Sequence, residues 1–289
     1  MTSLKNNVGL VLEGGGMRGL YTAGVLDCLN DLGFKFPLVA TASSSALIGS
    51  YFISEQKGQI YKAYNYLASN YRIISFKRMM ADKELFRMDL LFEHVPETVA
   101  PFDFSAFTKS GVKLLISTTD ILTGSAVYHD SFPSHDKLFL LARASSSLPI
   151  LAPSVAFEDK LLVDGGVADP IPIKPSIERG YQRNVVVLTR NQGYIKKPSY
   201  FGWMYRRFFR QYPELIQLLI NRHNNYNRIT QDIQQMEKDH SVFLIRPEKP
   251  LVAGRMERNR QVLEELYRQG YKEMQQKKEA LRSFLLETE

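Results

Sequence analysis

A short apolar run that ends in three glycines, Val8-Gly-Leu-Val-Leu-Glu-Gly-Gly-Gly-Met-Arg-Gly19, constrains this chain more than any other stretch. Val8 to Leu12 read as a buried strand, and the residues after Gly16 as the start of a helix. Gly14, Gly15 and Gly16 lack the Cβ that would hold a ligand off the backbone, so their N–H groups can face an anion beside a helix N-terminus. A ligand-free βα turn is the alternative. Three adjacent glycines weigh against it, because each costs roughly 0.5–1 kcal/mol of backbone entropy.

Gly14-x-Gly16-x-x-Gly19 also has the spacing of a dinucleotide fingerprint, which wants a carboxylate about 20 positions on, at the end of the second strand. That strand end reads Val39-Ala40-Thr41-Ala42, and Asp31 falls too early, near the end of the intervening helix. A phosphate-loop NTPase fails as well, because no Gly-Lys-Ser/Thr closes the loop. What stands at the second strand end is serine.

Taken in order, the chain gives a helix over Met17 to Leu32, stopped by Gly33, a strand over Phe36 to Ala42 and a helix over Ser44 to Ser54. Gly58 to Pro101 is helical in pattern, with Met79, Met80, Leu85, Phe86, Met88, Leu90, Leu91 and Phe92 on its apolar faces; these read as a cover over the sheet and as plain core, with the lining of an apolar-chain pocket as the alternative for some of them. Val112 to Thr119 is a strand, Ser125 to His129 pairs nearby, and Lys137 to Ala144 is a helix. Leu161 to Asp164 is a short strand running into two glycines, Ile173 to Arg179 a helix, and Asn184 to Arg190 a β-branched core strand. A helix, a strand at Ser241 to Ile245 and a terminal helix from about Arg255 follow. Leu263, Leu266 or Tyr267, Tyr271 and Met274 give that last helix a buried face.

A chain of 289 residues, 44% hydrophobic and 23% charged, is expected to fold as residues 8–190 with a helical extension, 191–289, packed on them. No apolar run reaches the ~18 residues of a membrane span, and Met1 to Asn7 lack an apolar signal core. Cys28 is the sole cysteine, which excludes an intrachain disulfide and a Cys-cluster metal site. The expected location is cytoplasmic, with a peripheral position at the inner face of the membrane open. The net charge of +7 fits an anionic surface, membrane or nucleic acid.

Thr41-Ala-Ser43-Ser-Ser45 occupies the place of a nucleophile elbow, a serine on a sharp strand-to-helix turn. Asp164 holds a comparable turn at another strand end. A carboxylate within hydrogen-bond reach can take the hydroxyl proton and so activate Ser43. The glycine turn would then be an oxyanion hole, each donor contributing about 3–4 kcal/mol in a well-studied hydrolase.

Glu13-Gly-Gly-Gly-Met-Arg-Gly19, the Thr41-to-Ser45 turn and Val163-Asp-Gly-Gly-Val-Ala-Asp-Pro170 resemble, in order, the three motifs of the patatin-like phospholipases. The likeness spans about residues 8 to 190, and Ala142-Arg-Ala-Ser-Ser-Ser-Leu-Pro149 and Pro170-Ile-Pro-Ile173 are similar to bacterial members. The resemblance implies a three-layer α/β/α fold on a mostly parallel sheet, and hydrolysis of lipid acyl esters by a Ser–Asp dyad without histidine. Carried over by position, Ser43 is the nucleophile, Asp164 its base, and Gly14, Gly15 and Gly16, with Arg18 nearby, surround the oxyanion. No cofactor or metal is implied.

The family pattern Gly-x-Ser-x-Gly is broken here by Thr41 and Ser45. Both side chains are expected to crowd the turn, so glycine at both positions should raise activity, and a lapsed member that binds lipid or a partner protein is the alternative. His129 and His135 read as solvated loop residues. Arg143 and Ser145 read equally as structural hydrogen-bond partners and as substrate contacts. Tyr194 to Tyr212 sets eight aromatic rings among Lys196, Lys197, Arg206, Arg207 and Arg210. That mixture suits a membrane interface or the packing of the C-terminal helices, and nucleic acid ranks below both.

Overall fold

The computed structural model describes residues 7–70, 78, 79, 84–254 and 256–286. Met80, Arg255 and residues 71–77 and 81–83 of the expected helical cover lie outside them. Five strands run parallel in the spatial order β3 (Lys113–Asp120), β2 (Leu38–Ala42), β1 (Val8–Leu12), β7 (Arg183–Val187) and β8 (Val242–Ile245). On the far side of β3, β6 (Lys160–Asp164) pairs antiparallel and carries β5 (Val155–Phe157) at the edge; β4 (Ala126–His129) also pairs antiparallel with β3. The β5 strand escaped the sequence reading because three residues, one of them exposed, carry too little periodicity.

Side chains alternate across the sheet with the period of two that a strand imposes. Leu10, Leu12, Val39, Ile116, Val185 and Val187 enter one core, while Val11, Leu38, Ala40, Leu115 and Val186 enter another. Both faces are covered, which is why β1, β2 and β7 read as continuous apolar runs. The first face takes α1 (Gly19–Asp31), α2 (Ser45–Ile53), α3 (Gln59–Ser69), α6 (His135–Ser146) and α10 (Arg260–Leu286); the second takes α7 (Ile173–Glu178) and α9 (Pro213–Lys238). Helix, mostly parallel sheet and helix make three layers.

Of the remaining helices, α4 (Leu90–Val99) is wound with wide π-type turns around Pro96, which has no N–H to give; its end is closed by the Ala100 N–H donating to Val95 O at 2.9 Å. Short helices α5 (Phe104–Lys109) and α8 (Gly202–Phe208) lie at the surface. The sixth helix starts two residues earlier than the apolar pattern indicated, because Ser134 Oγ accepts the Lys137 N–H at 3.2 Å and caps it. Strand β8 adds to the sheet beside β7, so the C-terminal part contributes a strand as well as helices. Among the described residues no helix is long and apolar enough to cross a membrane.

Candidate active site

The β1, β2 and β6 ends meet at one place. Ser43 follows β2 directly and adopts φ +60°, a left-handed conformation that a non-glycine residue holds only when its surroundings impose it. Its backbone N–H donates to Ser145 Oγ at 2.8 Å, and Ser145 donates in turn to Ser117 O at 2.6 Å. Ser145 is therefore a structural partner of the elbow. The Ser43 hydroxyl is left to donate to Asp164 Oδ2 at 2.6 Å.

Thr41 and Ser45 do not crowd this turn. Both are fully buried, and Thr41 Oγ1 donates to Leu115 O at 2.9 Å. Ser45 Oγ accepts the Ala42 N–H at 2.9 Å, and its own hydrogen lies between Ala42 O at 2.7 Å and Leu12 O at 3.0 Å. The methyl group of Thr41 fits because Gly49 stands opposite: a Cβ there would be 2.9 Å from Thr41 Cγ2. Room that a glycine at 41 would provide is supplied from α2 instead.

Asp164 reaches the serine by a route the sequence did not reveal. Two strand-end turns of a parallel sheet would open on one edge, yet β6 is antiparallel to β3. Strand β3 continues beyond the end of β2, and β6 returns along that extension until Asp164 pairs with Thr118, next to the Ser117–Ala42 pair. The carboxylate is completely buried. Its Oδ1 accepts the Gly166 N–H at 2.8 Å, which leaves Oδ2 toward Ser43. Gly165 has no room for a side chain, since a Cβ would lie 2.1 Å from Ser117 O.

The glycine turn abuts the elbow from the other side: a Cβ on Gly14 would lie 2.6 Å from both Ala42 O and Ser43 Cβ. Gly14, Gly15, Gly16, Ser43 and Asp164 all line one cavity of about 320 Å³, within the range of small-ligand sites. Arg18 is buried in the short turn Gly16–Arg18 and is not among the lining residues. The Gly15 N–H points to Ser44 Oγ at 3.2 Å. Apolar walls come from Leu47, Phe86, Met88, Leu91, Phe92 and Leu148, so part of the methionine and aromatic stripe faces the cavity.

Helix α9 contributes residues that sequence reasoning missed. Arg222 Nε donates to Gly166 O at 2.8 Å and its guanidinium lies 3.8 Å from Asp164 Oδ1; Asn225 Nδ2 donates to Ala168 O at 2.7 Å. Tyr226 donates to Glu13 Oε1 at 2.9 Å, while Glu13 Oε2 accepts the Thr189 N–H at 2.6 Å. Burial and the neighbouring Glu13 push the Tyr226 phenol far above its usual range. One helix thus holds both the glycine turn and the aspartate turn. The available signal was the spacing of Arg222, Asn225 and Tyr226 at i, i+3 and i+4, which puts polar groups on one face of α9.

The two histidines between the motifs stay out of this cavity. His129 shares a 2.9 Å hydrogen bond with Thr118 Oγ1, and burial, with Lys137 nearby, pulls its pKa down to about 4. His135 packs on Phe139 beside a separate depression that Arg143, paired with Glu93 at 3.2 Å, also lines.

Two family models match the chain. The patatin-like phospholipase model matches residues 10–177, and a domain of unknown function, DUF6363, matches residues 212–286. The uncharacterized protein YjjU of Escherichia coli is 28% identical over 260 residues, covering 84% of this chain and 69% of its own. Lysophospholipase NTE1 of Scheffersomyces stipitis is 27% identical over 190 residues, 62% of this chain, and that of Emericella nidulans 29% over 175 residues, 57% of it. The chain spans only 11% of the length of each of those two enzymes. The crystal structure of VipD from Legionella pneumophila aligns with a TM-score of 0.47 at 12% identity, covering 94% of this chain and 67% of that one. The family model takes in the glycine turn, the serine elbow and the aspartate turn, and it covers more than half of the sequence; the chain belongs to the patatin-like phospholipase family.

Proposed function

We propose that this protein is a lipid acyl hydrolase that cleaves carboxylic esters through Ser43 and Asp164. Ser43 Oγ attacks the ester carbonyl as its proton passes to Asp164 Oδ2, and N–H groups of the Gly14–Gly16 turn stabilise the oxyanion, whereas buried Arg18, which does not line the cavity, takes no direct part. Collapse expels the alcohol, which takes the proton back from Asp164. Water then gives a proton to the same carboxylate and attacks the Ser43 ester; the fatty acid leaves as Ser43 Oγ takes that proton from Asp164, which restores the starting state. The apolar walls from α2 and the Phe86–Phe92 stretch receive the acyl chain.

The observation that carries this reading is the 2.6 Å hydrogen bond from Ser43 Oγ to Asp164 Oδ2 beside an apolar cavity. Family membership and the lysophospholipase relatives support a lipid ester as the substrate. Residues 8–190 hold the reacting groups and residues 191–289 buttress them, in a cytoplasmic protein that meets its substrate at a membrane. Hydrolysis of p-nitrophenyl butyrate by the parent and its loss in Ser43→Ala test the proposal. One contact favours the second reading, a lipid-binding protein with little turnover: the Gly15 N–H, a donor the oxyanion needs, is directed to Ser44 Oγ. Lipid binding without Ser43-dependent hydrolysis would select that reading.

A further inference from the structure

The segment between β7 and α9 differs from the rest of the surface. From Asn191 to Pro213 it carries Lys196, Lys197, Arg206, Arg207 and Arg210 and no acidic residue. Four of its eight rings pack inward, Tyr194 against one core and Tyr205, Phe209 and Tyr212 against another, while Tyr200, Phe201, Trp203 and Phe208 face outward. Helix α8 has no buried residue, and Ile195, Tyr200 and Trp203 are 73%, 87% and 69% exposed. Phe201 and Phe208 are exposed as well, beside exposed Arg206, Arg207 and Arg210. Large apolar groups held together in water mark a contact surface.

This patch adjoins the cavity of Ser43. Lys196 and Tyr205 belong to the segment and line that cavity, and Met256, also exposed, lines it from another part of the chain. Tyrosine and tryptophan have apolar bodies and polar tips, which suits headgroup depth, and a cluster of basic residues without a carboxylate is complementary to anionic lipid. A nucleic acid would account for the arginines but leaves Ile195 and Phe208 without a role.

We propose that residues 194–212 dock the protein on an anionic lipid surface, with the rings among the headgroups and Arg206, Arg207 and Arg210 against the phosphates. The cavity mouth then opens toward the bilayer, so that an acyl chain passes from lipid to protein without crossing water. The choice of partner rests on the lipid-ester reading above.

Trp203 is the sole tryptophan, so its emission reports on the proposed contact directly. Vesicles of phosphatidylcholine containing phosphatidylglycerol are expected to shift that emission to the blue, lipids brominated in their acyl chains to quench it, and pure phosphatidylcholine to do much less. Added salt should weaken binding as screening shortens the Debye length. An arginine near an anionic surface strengthens partition roughly fivefold, so Arg206→Gln, Arg207→Gln and Arg210→Gln together should lower it about a hundredfold. Hydrolysis of a water-soluble short ester by the triple variant should be unchanged. Vesicle binding that leaves Trp203 emission unmoved, triple-variant binding equal to the parent, or a dimer that buries Trp203 would each overturn the proposal. A protein that docks with the Trp203 shift but hydrolyses no ester would uphold the docking surface and remove the hydrolase reading.

Discussion

A Cβ on Gly24 would stand 2.0 Å from the carbonyl oxygen of Tyr267, and one on Gly270 would stand 2.0 Å from that of Tyr21. Helices α1 and α10 therefore cross backbone on backbone. Around the crossing, Tyr21 donates to Glu273 at 2.8 Å, Tyr267 to Asp27 at 2.6 Å and Tyr271 to Asp31 at 2.7 Å. Because α1 begins at the glycine turn, the C-terminal helix fixes one side of the candidate active site. Gly24→Ala should destabilise the protein by about 1–3 kcal/mol through overpacking, even though alanine favours a helix by about 1 kcal/mol. A urea midpoint equal to that of the parent would show that the helices separate without cost.

That crossing was half legible in the sequence. The expected buried face of α10 was Leu263, Leu266 or Tyr267, Tyr271 and Met274; Leu263, Leu266 and Met274 are buried, whereas Tyr267 and Tyr271 are half-buried with their hydroxyls on Asp27 and Asp31. Gly270 carried no apolar signal, since its contribution is the absence of a side chain. The same limit held near Ser43. The three motif turns could be placed at strand ends, but the antiparallel return of β6 depends on β3 outlasting β2, which periodicity does not report. The fit of Thr41 depends on Gly49, a residue eight positions away that reads as an ordinary helix glycine. The spacing of Arg222, Asn225 and Tyr226 marks a polar face of α9 but not its destination, because the partners of Arg222 and Tyr226, Gly166 O and Glu13, are reached only through the tertiary fold.

Restoring glycine at positions 41 and 45 should not raise esterase activity. Thr41→Gly with Ser45→Gly removes the hydrogen bonds to Leu115 O, Ala42 and Leu12 O and opens space against Gly49. A loss of about 2–3 kcal/mol in stability is expected, at about 1 kcal/mol per hydrogen bond. A more active and equally stable double variant would contradict the account of the elbow.

In the proposed Ser43–Asp164 chemistry Arg222 is a positioning residue that acts through the aspartate turn. Arg222→Met should lower kcat for a short ester roughly ten- to hundredfold, because a displacement of about 1 Å at the base has that effect. KM should move little, and Arg222→Lys should recover part of kcat. Equal kcat in the methionine variant would detach α9 from the chemistry.

Stability should fall between pH 6.5 and 4 because of His129. Burial holds its folded pKa down at about 4 against the ordinary imidazole value of 6.5, so in that window the unfolded chain takes up a proton that the folded chain refuses. The contribution is complete above pH 6.5, diminishes as pH falls toward 4 and is flat below. At pH 5 the loss is on the order of 2 kcal/mol. Denaturant titrations at pH 7 and pH 5 should show a smaller difference for His129→Gln than for the parent; equal differences would assign the acid sensitivity elsewhere.

The pairing of Ser43 with Asp164 is tested most directly by reaction with a fluorophosphonate ester, followed by peptide mass spectrometry and timed at several intervals. The account predicts phosphonylation of the peptide containing Ser43, none in Ser43→Ala, and a rate in Asp164→Asn at least about a hundredfold lower in a variant that remains folded. Modification of a different serine, or an undiminished rate in Asp164→Asn, would contradict it.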